Sequence, residues 1–375
     1  METDDDELIG AVAALLADAG RPATRILPGR VIVRPRSVVR FLAAAFPDTT
    51  LELVVKEPRG TGDGTARPSP ARAVAAPPAS GRPRLAMPPA PEVRYEAEYE
   101  ALRLVADDLT QDPDPALGVV GVLGYVPRRH AIVMEVFHDP TLRHMLYARA
   151  LGGRRELVGL TAAAGHAGRW LRRYHALPAP ASATARQASA GDVAALADEM
   201  LAYLVRRAAA LGRDDDAAFL RDRAPAVRRA LDRSLPAILP TALGHGDFAL
   251  RNLLVGDGAR VTGIDAWAYW LPPVHEDLAT WLGSLWTAMP RVLTGGRWID
   301  DATATRLESA FLHGYGAAAV PRDELRAYEA FLLLDRWGSV PGVERSASRS
   351  ARVRASAMWR AYRRELDRVL DRLPV

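Results

Sequence analysis

The residues with the clearest chemical potential lie in one loop and in the hairpin that follows it. Residues 244–255 read GHGDFALRNLLV, which places Asp247 and Asn252 five positions apart, directly before an apolar run. The following GDGARVTGID returns the chain through a predicted hairpin to Asp265. Two carboxylates and one amide oxygen are ligands that suit Mg²⁺ bound together with substrate phosphates. Since a carboxylate can also accept a proton from a substrate hydroxyl, this spacing indicates phosphoryl transfer.

A cation for the phosphates would complete this chemistry, and lysine supplies it as a compact point charge. Lys56 is the only lysine in the sequence, and Asn252 is the only asparagine. Lys56 lies at the end of a predicted strand, LELVVKEP, and the next helix offers Glu98 and Glu100 as its carboxylate partner. Singly, a lysine at a strand end and an Asp–Asn pair in a loop are ordinary surface and turn chemistry. Because both unique residues fall where phosphoryl transfer needs them, the functional interpretation is favoured.

The elements that must position these residues divide the chain into two parts. Strands are predicted at GRVIVRP, SVVRFLAAA, LELVVKEP, LGVVGVLGYV and HAIVMEVF, with one helix at EVRYEAEYEALRLVADDL. From about residue 139 helices are predicted at 156–176, 191–211, 215–233, 274–288, 302–319, 322–338 and 347–373, interrupted by short strands at NLLV and RVTGI. We therefore predict an α+β fold with a small β-rich N-lobe, residues 1–136, and a larger α-helical C-lobe, residues 137–375. Residues 59–92, dense in Pro, Gly, Ala and Ser, are predicted to be a flexible insertion.

Composition limits the class of protein. The 375 residues are 49% hydrophobic and 25% charged, which is ordinary for a soluble globular chain with room for two lobes. The lack of cysteine excludes disulfides, thiolate catalysis and cysteine-ligated zinc, and it favours a cytoplasmic location. The net charge of +4 is too small to indicate nucleic-acid binding. No apolar run approaches the ~20 residues of a membrane span, and the acidic start is unlike a secretory signal.

Taken together, these features resemble the aminoglycoside phosphotransferase family, which includes choline kinase-like proteins and has a bilobal protein kinase-like fold. The resemblance rests on HGDFALRNLL, GIDAW, HEDLATWL and RRYHALP, and it spans residues 30–285. It implies an ATP- or GTP-dependent, Mg²⁺-dependent kinase acting on a hydroxyl of a small molecule, such as an aminoglycoside-like antibiotic, a sugar or an amino alcohol. HGD in place of HRD, and IDA without the protein-kinase glycine, favour a small-molecule kinase. A protein kinase and a catalytically silent nucleotide-binding module are the alternatives.

The resemblance implies a role for each matching catalytic residue. Asp247 resembles the catalytic base that orients the acceptor hydroxyl, while Asn252 and Asp265 resemble the Mg²⁺ ligands. Lys56 resembles the lysine that contacts the α- and β-phosphates. Glu98 resembles its ion-pair partner and is preferred over Glu100, because it lies four residues before Leu102.

Further roles follow from the same resemblance. The hinge that meets the adenine is expected at Met134, Glu135, Val136 and Phe137. No G-x-G-x-x-G loop is present, so LPGRVIVRPRS must cover the phosphates, with Ser37 as the candidate contact. His245 is expected to anchor the catalytic loop by hydrogen bonds, and Asp277 is expected to brace it.

Aromatic and basic residues suggest how an acceptor could be recognised. Trp267 and Trp270 are candidates for an acceptor pocket, because aromatic faces suit sugar rings and cations, whereas Trp281 and Trp286 are predicted to pack between helices. Residues 336–368 carry nine arginines against three acids. A solvated basic helix is the favoured interpretation, and contact with an anionic substrate, partner or membrane surface is the alternative. That balance does not suit a strongly acidic pocket for polyamine antibiotics.

Overall fold

A computed structural model describes residues 2–34, 37–59, 91–152, 156–179, 183, 188–268, 270–316, 320–340 and 348–373. The insertion predicted at 59–92 lies outside these ranges except at its ends. The end of the helix predicted at 302–319 and the start of the one predicted at 347–373 also lie outside them. Within the described ranges, no helix combines the length and the apolar character needed to cross a bilayer.

The strands of the described residues form two sheets. They are β1 (Arg25–Val33), β2 (Ser37–Ala45), β3 (Thr50–Pro58), β4 (Leu117–Gly118), β5 (Val122–Val126), β6 (Ala131–Glu135), β7 (Leu253–Val255) and β8 (Val261–Gly263). The larger sheet is antiparallel with the order β1-β2-β3-β6-β5, and the smaller has the order β4-β8-β7. The predicted strand LGVVGVLGYV is therefore split between the sheets, because β4 pairs in parallel with β8.

Central strand β3 is buried on both faces, as the run LVVK suggests from its lack of polar alternation. Leu53 and Val55 pack against helix α1 (Glu2–Asp18) on the outer face. Val54 and Lys56 lie on the opposite face, toward helix α2 (Pro91–Gln111). Helix α1 is absent from the sequence predictions.

The C-lobe is built from nine described helices. They are α3 (Leu142–Gly152), α4 (Glu156–His175), α5 (Ala190–Ala210), α6 (Asp214–Ser234), α7 (His275–Trp286), α8 (Met289–Thr294), α9 (Asp301–Tyr315), α10 (Arg322–Ser339) and α11 (Arg349–Leu370). Seven of them match predicted helices within a few residues, while α3 and the short α8 were not predicted. The predicted bilobal α+β architecture is confirmed.

The two lobes share helix α2. Its residues Ala97, Ala101 and Val105 belong to the hydrophobic core of the C-lobe, whereas Tyr95 and Leu102 belong to the apolar cluster beneath the N-lobe sheet. The lobe boundary between residues 136 and 137 stays a prediction. It follows directly after β6, the last strand of the larger sheet.

Glycines allow the close crossing of α4 and α9. A Cβ atom on Gly168 would lie 2.0 Å from the Phe311 carbonyl oxygen, and one on Gly314 would lie 1.9 Å from the Gly165 carbonyl oxygen. Larger residues would force the helices apart. The crossing brings the end of α4 to α9, where His175 Nδ1 lies 3.0 Å from the Tyr315 hydroxyl.

Candidate active site

Lys56 lies at the centre of the cleft between the lobes, where three elements meet. Its Nζ donates to Glu98 Oε1 on α2 at 2.6 Å and to Asp265 Oδ1, from the segment after β8, at 2.8 Å. The Glu98 side chain is only 1% exposed. The structure therefore places Lys56 against Glu98, as the spacing to Leu102 suggested.

Charge within this triad favours the ionised forms of Lys56 and Asp265, whereas burial raises the pKa of Glu98 despite the ammonium beside it. Burial on its own disfavours the Lys56 ammonium, but the carboxylates of Glu98 and Asp265 more than offset it and raise the pKa of Lys56. The Lys56 ammonium lowers the pKa of Asp265 despite burial of that carboxyl, and the Arg34 guanidinium acts in the same direction. The cleft therefore holds an ionised lysine between two carboxylates.

The catalytic-loop residues are brought together as predicted. Asn252 Nδ2 donates to the Asp247 carbonyl oxygen at 2.9 Å and to Asp247 Oδ2 at 3.0 Å. Leu250 begins a short 3₁₀ turn, Leu250–Asn252, and its N–H donates to Ser284 Oγ at 3.2 Å. The turn explains the five-residue spacing, because it folds the Asn252 side chain back onto the loop that carries Asp247.

Hairpin β7–β8 fixes Asp265 beside this loop. The N–H of Ile264, the residue before Asp265, donates to the Asn252 carbonyl oxygen at 3.0 Å. Asp265 itself has a φ of 62°, a left-handed conformation that aspartate tolerates better than most residues. Asn252 and Asp265 are therefore neighbours, and Asp265 is turned toward the Lys56 ammonium.

The donor set fits a magnesium ion shared with a nucleotide. The Asn252 amide nitrogen is directed at Asp247, so its amide oxygen points away from that carboxylate. Asp265 contributes a carboxylate with a lowered pKa. Among the described residues no group of three or more His, Cys, Asp or Glu side chains could hold a metal alone. Mg²⁺ is commonly held by one or two protein ligands plus phosphates and water, which this pair matches.

Asp277 braces the catalytic loop from α7. Its Oδ2 accepts from the His245 N–H at 2.7 Å, and its Oδ1 accepts from the Gly246 N–H at 2.9 Å. His175 Nε2 lies 3.2 Å from Asp277 Oδ2. These partners lower the pKa of Asp277 even though burial opposes the shift. Gly246 has a φ of 74°, which glycine adopts without strain and which aims both N–H groups at one carboxylate.

His245 anchors the catalytic loop through its backbone and not through its imidazole ring. Neither of its ring nitrogens has a hydrogen-bond partner among the described residues, and the ring packs among Trp170, Tyr174 and Phe248. Burial lowers the pKa of this imidazole, so it is neutral. The anchoring bonds come from its backbone instead, because its carbonyl oxygen accepts from the Trp267 N–H at 2.8 Å.

The hinge residues lie at the edge of an apolar cleft. Met134 is buried, and the N–H of Val136 donates to the Glu52 carbonyl oxygen at 3.0 Å. The Glu135 N–H is bonded to the Gly121 carbonyl oxygen at 2.8 Å, whereas the Phe137 N–H donates to no backbone carbonyl of the described residues. Apolar side chains from both lobes pack into one cluster beside the hinge: Val39, Phe41, Val54, Val136, Phe137 and Ile264.

The N-lobe wall near Lys56 contains one residue that was predicted and one that was not. Ser37 begins β2, lies opposite Pro58 and is hydrogen-bonded through its hydroxyl to Tyr95. Its side chain shares a face with Lys56, because Val39 is directly opposite Lys56 and two residues from Ser37. Arg34, at the end of β1, was not predicted, although its charge acts on Asp265.

A cavity of about 290 Å³ opens beside the catalytic loop. Residues 249–251 of that loop form one wall, and helices α3, α7, α10 and α11, with residues 287–289 at the start of α8, contribute the rest. Three arginines line it, from α3 (Arg143), from the loop (Arg251) and from α10 (Arg336). Arg251 Nη2 donates to both carboxylate oxygens of Asp247, at 2.7 and 2.5 Å, and Arg336 Nη1 lies 3.7 Å from Asp247 Oδ1.

The two tryptophans predicted for the acceptor pocket have different surroundings. Trp270 is 7% exposed and belongs to the C-lobe core, so we do not retain it as an acceptor contact. Trp267 is partly buried, and the Arg94 guanidinium lies 4.9 Å from its ring centroid, at the junction of α2 and the segment after Asp265. Trp281 and Trp286 pack between helices as predicted: Trp281 stacks on Phe311 and Trp286 donates to Glu308.

The basic C-terminal helix is solvated as predicted at most of its arginines, since Arg349, Arg352, Arg354, Arg360 and Arg364 are exposed, but not near its end. The Arg368 guanidinium lies 4.0 Å from the Trp286 ring centroid and is paired with Glu365 and Glu329, so its side chain is only 15% exposed. The solvated-face prediction is wrong for this residue, because long arginine stems bury well against aromatic rings. The same helix supplies Met358 and Tyr362 to the cavity.

Sequence reasoning missed the arginines of the site. Arg251 had a usable signal, because it lies four residues after Asp247 and directly before Asn252. Arg143 and Arg336 had none, since they come from helices distant in sequence and arginine is abundant in this chain.

Comparison with known proteins agrees with this architecture. A family model described as "Phosphotransferase enzyme family" (APH) matches residues 82–328, about two thirds of the chain. A glucosamine kinase solved with glucosamine, ADP and inorganic phosphate is 17% identical, with TM-score 0.52 over 96% of this chain and 99% of that one. A second crystal form of glucosamine kinase gives 17% identity and TM-score 0.54 over 96% and 98%.

A spectinomycin phosphotransferase solved with ADP and spectinomycin is 14% identical, with TM-score 0.48 over 97% of each chain. No curated protein sequence matches the chain. At these identities the structural likeness shows the fold, and the family match confirms the resemblance drawn from the HGD, IDA and DLA motifs.

Proposed function

The chain belongs to the phosphotransferase enzyme family, and we propose that it transfers the γ-phosphoryl group of ATP to a hydroxyl group of a small molecule. The observation that carries the proposal is the convergence of Lys56, Asp247, Asn252 and Asp265 on one cleft. Lys56 comes from the N-lobe and the other three come from the C-lobe, so only the folded chain assembles the set.

On the nucleotide side, Lys56 contacts the α- and β-phosphates, and Glu98 holds its ammonium in place. Ser37 and Arg34 add polar and charged contacts where a glycine-rich loop is missing. The adenine lies in the apolar cleft beside Met134, Val136 and Phe137, where the Phe137 N–H is available as a donor. The ADP bound to a glucosamine kinase of the same fold supports an adenine nucleotide.

Asn252 and Asp265 would hold Mg²⁺, which when bound supplies positive charge to the phosphate oxygens as the phosphoryl group leaves. The Lys56 ammonium acts in the same direction from the opposite wall of the cleft. Both effects rely on fixed charge in a partly dry site, where electrostatic stabilisation is strongest.

Asp247 orients the acceptor hydroxyl and accepts its proton. The hydroxyl oxygen then forms a bond to the γ-phosphorus while the bond to the β,γ-bridging oxygen breaks, so ADP leaves with the bridging oxygen. Asn252 Nδ2 and Arg251 fix the rotamer of the Asp247 carboxylate. Asp277, held by His175, positions the catalytic loop through its backbone N–H groups. The lack of cysteine in the sequence supports a cytoplasmic location.

The test is a screen for acceptor-dependent consumption of Mg·ATP across sugars, amino alcohols and antibiotics, with ³¹P NMR of each hit. We expect a phosphate monoester, and we expect Asp247→Asn to lose about 10²–10⁴-fold in kcat while still binding Mg·ATP. Asp257→Asn is the matched control, because Asp257 lies exposed in the β7–β8 turn.

Each other outcome has a definite meaning. Phosphate on serine or threonine of an added protein would make the chain a protein kinase. Tight Mg·ATP binding with no turnover for any acceptor would leave a nucleotide-binding module. Full activity of Asp247→Asn would remove the proposed base.

A further inference from the structure

We propose that the acceptor carries an anionic group, a carboxylate or a phosphate, which the arginines of the cavity beside Asp247 bind. The proposal rests on the proposed function, since it names the substrate class of the same site. It is argued from the lining of the cavity, from the partners of its arginines and from the shape of its walls.

The charged residues that line the cavity are all positive. Arg143, Arg251 and Arg336 enter it from three separate elements, and among the described residues that line it none is acidic. A cavity that selects polyamines needs carboxylates on its walls, because a charge buried without an opposite partner is costly. The lining of this cavity would repel an ammonium group.

Among the described residues, Asp247 is the carboxylate that forms ion pairs with these arginines, whereas Asp335 acts on Tyr362 of the lining but does not itself line the cavity. Asp247 is shared by Arg251 and Arg336 and contributes one negative charge. Burial raises the pKa of Glu276, which lies near Arg336, to about 8, so that carboxyl is protonated at neutral pH. Arg143 has no ion pair within the described part of the chain. The lining therefore keeps an excess of positive charge.

Arginine also suits the geometry of an anion. Its planar guanidinium presents parallel N–H groups that match the two oxygens of a carboxylate or phosphate. Arg336 Nη2 already donates to Thr280 Oγ1 at 3.1 Å, which holds that guanidinium toward the cavity. Leu332, Leu333 and Met358 add apolar side chains to the same lining. The size of about 290 Å³ is at the lower end for ligand pockets, so the acceptor is a compact molecule with a charged and an apolar part.

The position of Arg251 links anion binding to the base. Both carboxylate oxygens of Asp247 now accept from Arg251 Nη2, which occupies positions that an acceptor hydroxyl would need. An anionic group in the cavity competes for Arg251. One Asp247 oxygen is thereby released to the hydroxyl, so an acceptor with the correct charge also prepares the base.

The experiment measures binding of four compact ring compounds to the Mg·ADP form of the full chain by calorimetry. Glucose is neutral, glucosamine is cationic, and glucuronate and glucose 6-phosphate are anionic versions of the same ring. We expect at least one anion to bind ten-fold or more tighter than glucose, and glucosamine to bind no better than glucose.

Variants test whether the cavity arginines cause this preference. Arg143→Gln should weaken the preferred anion about 10- to 100-fold, the equivalent of one charge-assisted hydrogen bond, without changing the affinity for Mg·ADP. Arg128→Gln, an exposed arginine of the N-lobe, is the control and should leave anion affinity unchanged.

Three results would overturn the proposal: equal affinities for all four compounds, including no measurable binding of any; tighter binding of glucosamine; or an anion affinity that Arg143→Gln leaves unchanged. The same samples are assayed for Mg·ATP consumption, which separates this failure from failure of the proposed function. Phosphorylation of glucosamine alone would refute the anionic class and keep the phosphotransferase. Arginine-dependent anion binding with no phosphoryl transfer to any bound compound would refute the phosphotransferase and keep the anion site.

Discussion

Replacing Lys56 by methionine should destabilise the protein in a way that depends on pH. The variant leaves the Glu98 carboxylate, 1% exposed, without its cation. Breaking a buried pair in this way typically costs about 3–5 kcal/mol. Asp265 loses the same partner but is 32% exposed, so water compensates it in part.

The free-energy cost of protonating Glu98 sets an upper limit to this loss of stability, because the carboxyl can become neutral instead of remaining buried as an ion. At pH 7.5 a carboxyl with an ordinary pKa near 4.3 takes up a proton at a cost of about 4 kcal/mol, since each pH unit is worth about 1.4 kcal/mol. At pH 5 the same protonation costs about 1 kcal/mol. Burial already raises the pKa of Glu98 with Lys56 in place, and loss of the ammonium raises it further, so the added penalty is absent below the unfolded pKa and grows as pH rises. We expect a loss of up to about 4 kcal/mol at pH 7.5 and up to about 1 kcal/mol at pH 5.

Urea unfolding followed by far-ultraviolet circular dichroism measures this difference. Tryptophan fluorescence is less suitable, because all eight tryptophans follow residue 169 and Lys56 lies in the N-lobe. The double variant Lys56→Met/Glu98→Met should recover most of the stability, since two apolar residues replace the pair. A loss that is equal at both pH values, or a double variant as unstable as the sum of its single variants, would refute the reasoning.

Three further predictions concern the C-lobe. Trp281→Ala should lower the free energy of unfolding by about 3–5 kcal/mol, because the buried ring stacks on Phe311. Trp298 is 51% exposed, so Trp298→Ala should change the same quantity by about 0.5 kcal/mol or less in the same urea assay. Burial lowers the pKa of His275 to about 4. Between pH 6.5 and pH 4 the imidazole therefore binds a proton in the unfolded chain but not in the folded chain. Stability should therefore fall by about 1.4 kcal/mol per unit from pH 6.5 toward pH 4, and His275→Gln should flatten that acid limb; an unchanged slope would contradict the assignment. Asp277→Asn exchanges one carboxylate oxygen for an NH₂ group, which cannot accept a hydrogen bond from the loop N–H that faces it. We therefore expect kcat to fall at least ten-fold with little change in the affinity for Mg·ATP. Asp301→Asn, on the surface, serves as the control.

Much of the site could be predicted because its residue types are rare in this chain. Lysine and asparagine each occur once, so Lys56 and Asn252 stand out against an arginine-rich background. The spacing of Asp247 to Asn252 and the hairpin to Asp265 then follow from local turn geometry. Glu98 follows from helical spacing, and the structure places all of these in contact or in neighbouring segments.

Other features depend on long-range packing that the sequence does not display. Helix α1 has the helical spacing Leu8, Val12 and Leu16, yet its acidic start gave no reason to place it on the sheet. The pairing of β4 with β8 joins residues more than a hundred positions apart. The sequence does not distinguish Trp270 from Trp267. Tertiary packing buries Trp270 in the C-lobe core and leaves Trp267 only partly buried.

The central claim is that Lys56 binds the nucleotide phosphates from the wall opposite Asn252 and Asp265. Selective ¹⁵N labelling of lysine gives a single side-chain signal, because the sequence contains one lysine. We predict that Mg·ADP shifts the Lys56 Nζ resonance along a saturable binding curve, and that glucose added alone leaves it in place. A resonance that does not move while calorimetry records Mg·ADP binding would place the nucleotide elsewhere and contradict the account.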